Sequence, residues 1–422
     1  MKRLLRIVGI FVTAALFGCG GNNAISTSPP MVLAQQRPMS SEYKSLYSFK
    51  GTPDGASPLA GLTAVNGVLY GTTLNGSVNY CSASCGSNDC YLGCGTVYKV
   101  SASGAEHVIY NFSGGFNSGT DGAWPYAGLL AYNGMLYGTT GGGGTGDHGT
   151  VFEVSTSGTE SVLYRFAGGS DGGFPAAGLT AANGKLYGTT VVGGGSGCGG
   201  AGCGTVFEVS TSGGERVLYA FKGGSDGQRL YSGLTLLDGK LYGSTLEGGS
   251  GCGTTGCGTI FEISKLGKKR TLYTFAGGAT DGAFPNGLTA DNGVFFGTTE
   301  GGGTKSSGTF FQVTTAGKES LLYSFQDIPD GNGPGANLLL SKGAFYGTTI
   351  GGGTKGLGSV FKVTPQGEES VLYSFAGGAG GSDPEAPVVA LKHKIYGTTY
   401  QGGSGGCSGS QGGCGTVFDL KL

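Results

Sequence analysis

Short apolar segments of five or six residues, rich in Val, Leu, Tyr, Phe and Thr, recur along the chain between stretches of Gly, Asn, Asp and Ser. That composition reads as strands divided by turns. LYGTT begins at Leu69, Leu136 and Leu186 and recurs as LYGST at Leu241, FFGTT at Phe295, FYGTT at Phe345 and IYGTT at Ile395. A second segment also recurs seven times: TVYKV at Thr96, TVFEV at Thr150 and Thr205, TIFEI at Thr259, TFFQV at Thr309, SVFKV at Ser359 and TVFDL at Thr416. A third, close to LYSF, carries Tyr47, Tyr110, Tyr164, Tyr219, Tyr273, Tyr323 and Tyr373. A fourth, mostly GL followed by Thr or Leu, precedes each LYGTT. No helical periodicity interrupts this pattern.

Successive LYGTT segments lie about 54 residues apart. Four strands in that length make the blade of a β-propeller, whereas a β-helix repeats at a much shorter period. The strands are apolar on both faces, as expected for sheets sandwiched between neighbouring sheets. Let A be the GL strand, B LYGTT, C GTVFEV and D LYSF. The repeats open on a lone D, Leu46–Phe49, and close on a C strand followed only by Lys421 and Leu422. Seven of each strand form seven blades only if that first D completes the last blade. The expected fold is therefore all-β: a seven-bladed propeller of four-stranded antiparallel blades over residues 43–422, closed by its N-terminal strand. Closure removes exposed edges, and a monomer is expected.

The N-terminal segment has a different pattern. Lys2, Arg3 and Arg6 precede an apolar run from Ile7 to Phe17. As a helix that run rises about 16 Å, too short for a bilayer core of roughly 30 Å, so residues 1–18 read as a signal peptide. Leu16-Phe17-Gly18-Cys19 resembles the lipobox of bacterial lipoproteins, with Phe17 bulkier than usual there. Cys19 is the expected lipidation site, attaching the protein to the outer membrane or cell surface. Residues 19–42, rich in Gly, Asn, Ser, Pro and Gln, read as a tether. A net charge of −1 and 12% charged residues give no argument for a nucleic-acid partner.

Ten further cysteines all lie in loops between strands B and C. An even count in an exported chain reads as disulfides. The loop ends pair Cys198 with Cys203, Cys252 with Cys257 and Cys407 with Cys414. In blade 1 they pair Cys81 with Cys94 and nest Cys85–Cys90 inside. A zinc site built from the four blade 1 cysteines lacks the C-x₂-C pairs typical of such sites. His107, His148 and His393 occupy unrelated repeat positions and read as surface residues. No metal and no cofactor is expected.

In layout, GLTAANGKLYGTT followed by GTVFEVSTSGTESVLYRF is similar to a kelch-type blade, although kelch ends strand B on Gly-Gly and this chain on Gly-Thr-Thr. The unit more closely resembles the GloVer tandem repeat of choice-of-anchor bacterial surface proteins, across nearly the whole mature chain. That resemblance implies surface anchoring and no particular activity.

The A–B turns (Asn66-Gly67, Asn133-Gly134, Asn183-Gly184, Asp238-Gly239) and the C–D turns are short, so every long loop, B–C and D–A, falls on the other face. Binding residues concentrate on such loops. An Asp recurs in the D–A loop: Asp54, Asp121, Asp171, Asp226, Asp281, Asp330 and Asp383. A ring of carboxylates suits calcium or sugar hydroxyls, but Asp-Gly is also a turn pair, and the turn reading is favoured. Symmetry breaks just before the Pro of D-G-x-x-P, where the residues read Ser57, Trp124, Phe174, Arg229, Phe284, Gly333 and Ala386. Trp124, Phe174, Arg229 and Phe284, with Tyr126 and Tyr231, form the expected ligand-binding arc, suited to stacking on sugar rings or anchoring a protein.

Two functional classes follow. One is a non-catalytic binding or scaffold protein of the cell surface, with a glycan or protein ligand on the long-loop face. The other is an extracellular carbohydrate-active or other propeller enzyme, a hydrolase or lyase. The sequence displays no repeat-breaking carboxylate pair, no Ser/His/Asp set and therefore no catalytic residues, which favours the first.

Overall fold

The computed structural model describes residues 42–79, 81, 93–115, 119–407 and 412–422. The signal peptide, Cys19, nearly all of the tether and the Cys85–Cys90 pair lie outside these residues. Among the described residues no helix is long and apolar enough to cross a membrane.

The described residues form seven antiparallel blade sheets ordered A-B-C-D, six of four strands and one, blade 6, with a fifth. Blade 1 comprises Thr63–Val65, Val68–Thr73, Thr96–Ser101 and Glu106–Asn111. Blade 7 takes Val389–Leu391, Lys394–Thr399 and Thr416–Lys421 from the C-terminal end and its D strand, Tyr43–Ser48, from the N-terminal end. That D strand pairs with Thr416–Lys421 from Tyr43 opposite Leu420 to Ser48 opposite Thr416, closing the ring as expected. In blades 5 and 6 the loop before strand A joins the same sheet, as Gly282–Asp291 and as Gly331–Pro334 beside Leu339–Ser341. The A strands of neighbouring blades touch and therefore surround the axis. The D strands form the outer edge.

Each residue of the repeated segments has an identifiable task. The aromatic residue of GTVFEV lies over the Gly of LYGTT in its own blade: a Cβ on Gly188 would sit 2.5 Å from Phe207 Cζ, and all seven blades repeat the contact. The same ring meets the LYSF Phe of the preceding blade edge-on, with centroids 5.0–5.4 Å apart, from Phe49–Tyr98 round to Phe375–Phe418. All of these rings are fully buried. The first Thr of Gly-Thr-Thr reaches the next blade, as Thr72 Oγ1 donating to the Ala127 carbonyl at 3.1 Å and Thr398 to that of Ala60 at 3.1 Å. The second pairs with the first hydroxyl of strand C at 2.7–2.9 Å in every blade.

The D–A Asp residues are also structural. Six of them, Asp54 to Asp330, accept a hydrogen bond from the tyrosine of the preceding D strand, as Tyr164 Oη to Asp171 at 2.8 Å. Each also accepts a backbone N–H just after that strand. This bears out the turn reading for those six. Asp383 departs from the expected ring: blade 7 reads Gly380-Gly381-Ser382-Asp383-Pro384, so Gly380 occupies the Asp place and Asp383 lies at the pre-Pro corner. The same shift removes Ala386 from the pre-Pro set. A glycine-rich D–A loop with a second Pro at position 387 hid the alignment.

A glutamate from the first residue of the next D strand faces five of these Tyr–Asp pairs. Burial first, then the neighbouring Asp, push Glu106 and Glu369 up to about 8, and Glu160, Glu215 and Glu319 up to about 7. Each keeps a buried carboxyl oxygen without a hydrogen-bond partner. Between blades 3 and 4 the position is Lys269, whose Nζ lies 2.8 Å from Asp226 Oδ1. Between blades 6 and 7 it is Tyr43, which stacks on Tyr373 at 3.9 Å and donates to the Gly380 carbonyl at 2.5 Å. At the first of these interfaces the aspartate is kept, and at the second Gly380 replaces it.

Two outcomes follow from this packing. Gly188→Ala drives a methyl into the Phe207 ring and is expected to lower unfolding free energy by about 1–3 kcal/mol in urea titration, as overpacking does. The five glutamates have folded pKa values above their unfolded value, so their stabilising effect is complete below about pH 4.5 and is lost as pH rises through about 7 to 8. The melting temperature should therefore fall between pH 5 and 9, and Glu369→Gln should reduce the slope.

Candidate functional site

The residue before the Pro, or before Leu230 in blade 4, sits at a tight corner in all seven D–A loops. Ser57, Trp124, Phe174, Arg229, Phe284, Gly333 and Asp383 all have φ between 54° and 62°, a region non-glycine residues rarely occupy. The cause lies between the blades. Each corner N–H donates to a carbonyl of the preceding blade, from Ser57 to Cys414 round to Asp383 to Leu357, at 2.7–3.2 Å. In four blades that carbonyl belongs to the second cysteine of a loop disulfide. Cys81–Cys94, Cys198–Cys203, Cys252–Cys257 and Cys407–Cys414 are all formed, with Cα separations of 5.1–5.3 Å. These four disulfides mark the protein as exported.

Backbone geometry thus fixes the corner in every blade, and its side chain is free to differ. Trp124 lies across Gly142, and Phe174 and Tyr126 both lie over Gly141. The Tyr126 and Phe174 rings meet edge-on at 5.0 Å. Phe284 packs on the apolar cluster beneath blades 4 and 5. All four of these aromatic side chains are half-buried, neither free nor sealed beneath their loops. Arg229 Nε pairs with Glu247 Oε2 at 3.1 Å. Tyr231 is the most open of the set, at 36% exposure.

The structure adds a second group, of which the sequence singled out only Tyr126 and Tyr231. One residue after Gly-Thr-Thr, the blades carry Leu74, Gly141, Val191, Leu246, Glu300, Ile350 and Tyr400; one residue after the corner Pro (Leu230 in blade 4), they carry Leu59, Tyr126, Ala176, Tyr231, Asn286, Gly335 and Glu385. Burial pushes Tyr126 up to about 12, and Tyr231 of blade 4 and Tyr400 of blade 7 add to the shift. Burial also pushes Glu385 of blade 7 up to about 8, reinforced by Asp383 and by Glu300 of blade 5. Glu300 itself is pushed up to about 7 by burial alone. The groups that shift one another thus stand on blades 2, 4, 5 and 7. Glu300, Glu385, Asp383 and Tyr400 are all half-buried.

Glu300 and Glu385 are carboxylates that break the repeat and that the sequence analysis did not single out. Columns aligned on Pro387 rather than Pro384 concealed Glu385, and Glu300 lies one residue beyond the repeated motif. Among the described residues no three His, Cys, Asp or Glu side chains come together to hold a metal ion.

A family model described as the Gloeobacter/Verrucomicrobia repeat matches residues 80–289 and 251–422. No curated protein matches the chain. Among solved structures, the computationally designed Ika8 protein is 12% identical with a TM-score of 0.48, covering 90% of this chain and 100% of its own. The PQQ-bound aldose sugar dehydrogenase from Streptomyces coelicolor is 13% identical with a TM-score of 0.45, covering 69% and 92%. A gluconolactonase from Xanthomonas campestris is 11% identical with a TM-score of 0.42, covering 92% and 91%.

Because Phe174 is half-buried on a glycine, Phe174→Ala is expected to cost about 1 kcal/mol of stability, mainly its edge contact with Tyr126. Phe207→Ala in the core is expected to cost about 3–5 kcal/mol. Denaturant unfolding of the two variants measures the difference.

Proposed function

The chain belongs to the Gloeobacter/Verrucomicrobia repeat family, and from that premise we propose that it is a non-catalytic binding or scaffold protein of the cell surface, anchored through lipid on Cys19. Its ligand, a glycan or a protein, docks on the long-loop face along blades 2 to 5. One observation carries this reading. Seven corners share one backbone conformation and one inter-blade hydrogen bond, while their side chains read Ser, Trp, Phe, Arg, Phe, Gly and Asp. Packing demands the backbone alone, so the uneven side chains serve something outside the fold. Trp124, Phe174 and Phe284 offer partly open ring surface for stacking, and Tyr126, Tyr231 and Arg229 supply polar groups beside them.

The second reading, a hydrolase or lyase acting on polysaccharide, draws on Glu300 and Glu385. A carboxyl held near neutral pH is suited to general acid work. Loss of a polysaccharide-cleaving activity on Glu300→Gln and Glu385→Gln, with binding retained, would favour it.

The binding reading is tested on an array of neutral, acidic and amino oligosaccharides probed with the purified propeller. Trp124→Ala and Phe174→Ala are expected to weaken captured glycans by about 1 kcal/mol or more, roughly fivefold. Asn183→Ser, in a tight turn of the opposite face, should change nothing. Equal losses from both faces would sink the assignment.

A further inference from the structure

The chain enters the propeller on the face opposite the long loops. Strand D of blade 7 starts at Tyr43, opposite Leu420, and runs to Ser48, opposite Thr416. Thr416 follows the B–C loop, so Tyr43 stands on the short-turn face, at the outer edge of the ring. Leu422 ends there too, its N–H donating to the His393 carbonyl of the blade 7 A–B turn at 3.1 Å. Cys19 precedes Tyr43 by 24 residues. As the tether that their composition predicts, those residues average roughly 25–30 Å end to end. A six-residue strand is about 20 Å long, so reaching past the long-loop face would take most of that length. A lipid on Cys19 is held nearest the short-turn face.

That face also holds out an apolar side chain. Six C–D turns share one backbone, in which Ser264 N–H donates to the Lys268 carbonyl at 3.0 Å and Gly267 N–H to the Ser264 carbonyl at 2.8 Å in blade 4. Each turn glycine lies against the preceding blade: a Cβ on Gly267 would sit 2.4 Å from the Leu218 carbonyl oxygen. The turn therefore cannot fold inward. Its tip is Ser103, Ser157 and Ser212 in blades 1 to 3 but Leu266 in blade 4. Leu266 is 91% exposed, more than any other large apolar side chain among the described residues.

Charge on this face is equally uneven. The short turns of blades 1 to 3 contain no charged residue, whereas those of blades 4 to 7 carry Lys265, Lys268, Lys318, Lys342, Lys392 and His393 against Asp238 and Glu368. No ion pair engages these five lysines among the described residues. Lys342, Lys392 and His393 have φ of 52°, 49° and 66°, at positions where the other blades carry Asn, Asp or Gly. Those residues enter the left-handed region with least strain, so the turns themselves do not account for the cations.

We propose that the short-turn face of blades 4 to 7 rests on a bilayer surface bearing anionic headgroups. Leu266 enters the acyl boundary and the lysines lie among the phosphates, the pairing of apolar insertion and cationic attraction that holds proteins at membrane interfaces. The long-loop face then points away from the membrane, open to ligand. The proposal rests on the lipid anchor for what brings the membrane near, and adds which face meets it.

Two preparations keep the anchor and the surface apart. The first is the chain produced without residues 1–18 and carrying Cys19→Ser, floated with vesicles of phosphatidylcholine, alone or mixed equally with phosphatidylglycerol. It is expected to float with the anionic vesicles and to remain behind with the neutral ones or in high salt. Leu266→Ser should weaken flotation about threefold, and Lys265→Ser with Lys268→Ser about tenfold, with the melting temperature unchanged. The second is the lipidated chain in vesicles with brominated acyl chains. Bromine should quench the added fluorescence of Leu266→Trp and leave that of Ile328→Trp, at a 58% exposed site on a long loop, unaffected. The proposal is overturned if the unlipidated chain shows no preference for anionic vesicles, if the Leu266 and lysine variants float like the parent, or if Ile328→Trp is quenched as strongly as Leu266→Trp. If mass measurement finds no acyl chain on Cys19 while flotation still depends on Leu266, the anchor falls and the surface stands. If Cys19 is acylated and Leu266→Trp is not quenched, the anchor stands and the surface falls.

Discussion

The structure depends on one repeated contact: an aromatic ring on strand C, laid over the glycine of strand B and struck edge-on by the phenylalanine of the preceding blade. The ring occupies space that any Cβ on that glycine would need, which explains why the glycine of strand B is kept in all seven blades, although Ser244 replaces a threonine in blade 4 and Phe296 the tyrosine in blade 5. Seven such contacts at 5.0–5.4 Å join each blade to the next. They also explain the closing strand. Without Phe49, Tyr98 of blade 1 would lose its partner, and blade 7 would be left with an open edge.

Round this contact the other repeated residues act as directional links. Threonine hydroxyls bridge B to C within a blade and B to the next blade. Corner N–H groups reach back to the preceding blade. Aspartates gather a tyrosine hydroxyl and a backbone N–H at six of the seven D–A loops. The carboxyl pairs differ from these links because they carry a protonation state. Their burial between blades couples ring cohesion to pH, except at the Lys269 interface, where a cation replaces the glutamate, and at the Tyr43 interface, where neither carboxylate remains.

Sevenfold regularity makes departures from it informative. A corner fixed by backbone hydrogen bonds tolerates any side chain, so Trp124, Phe174, Arg229 and Phe284 can vary without disturbing the ring. The positions one residue beyond Gly-Thr-Thr and beyond the corner Pro vary as widely. A propeller positions such groups well: each is held on a short, hydrogen-bonded segment, and the blades on either side restrain it.

The sequence by itself determined the strands, their number, the closing of the ring and four of the disulfide pairs. These rest on contacts within a blade or between equivalent positions of adjacent blades, so the repeat writes them out seven times. It also located the corner column, since Trp124, Phe174, Arg229 and Phe284 stand out against a constant background. It did not relate the members of the second group. Tyr126 and Tyr400, or Glu300 and Glu385, belong to blades that are neither consecutive nor neighbouring, and no local spacing relates them. Only closure of the ring lets them shift one another. The place of Asp383 was likewise beyond the sequence, because Gly380 and Tyr43 exchange the usual pair together, and that compensation exists only across the interface where the two ends of the chain meet.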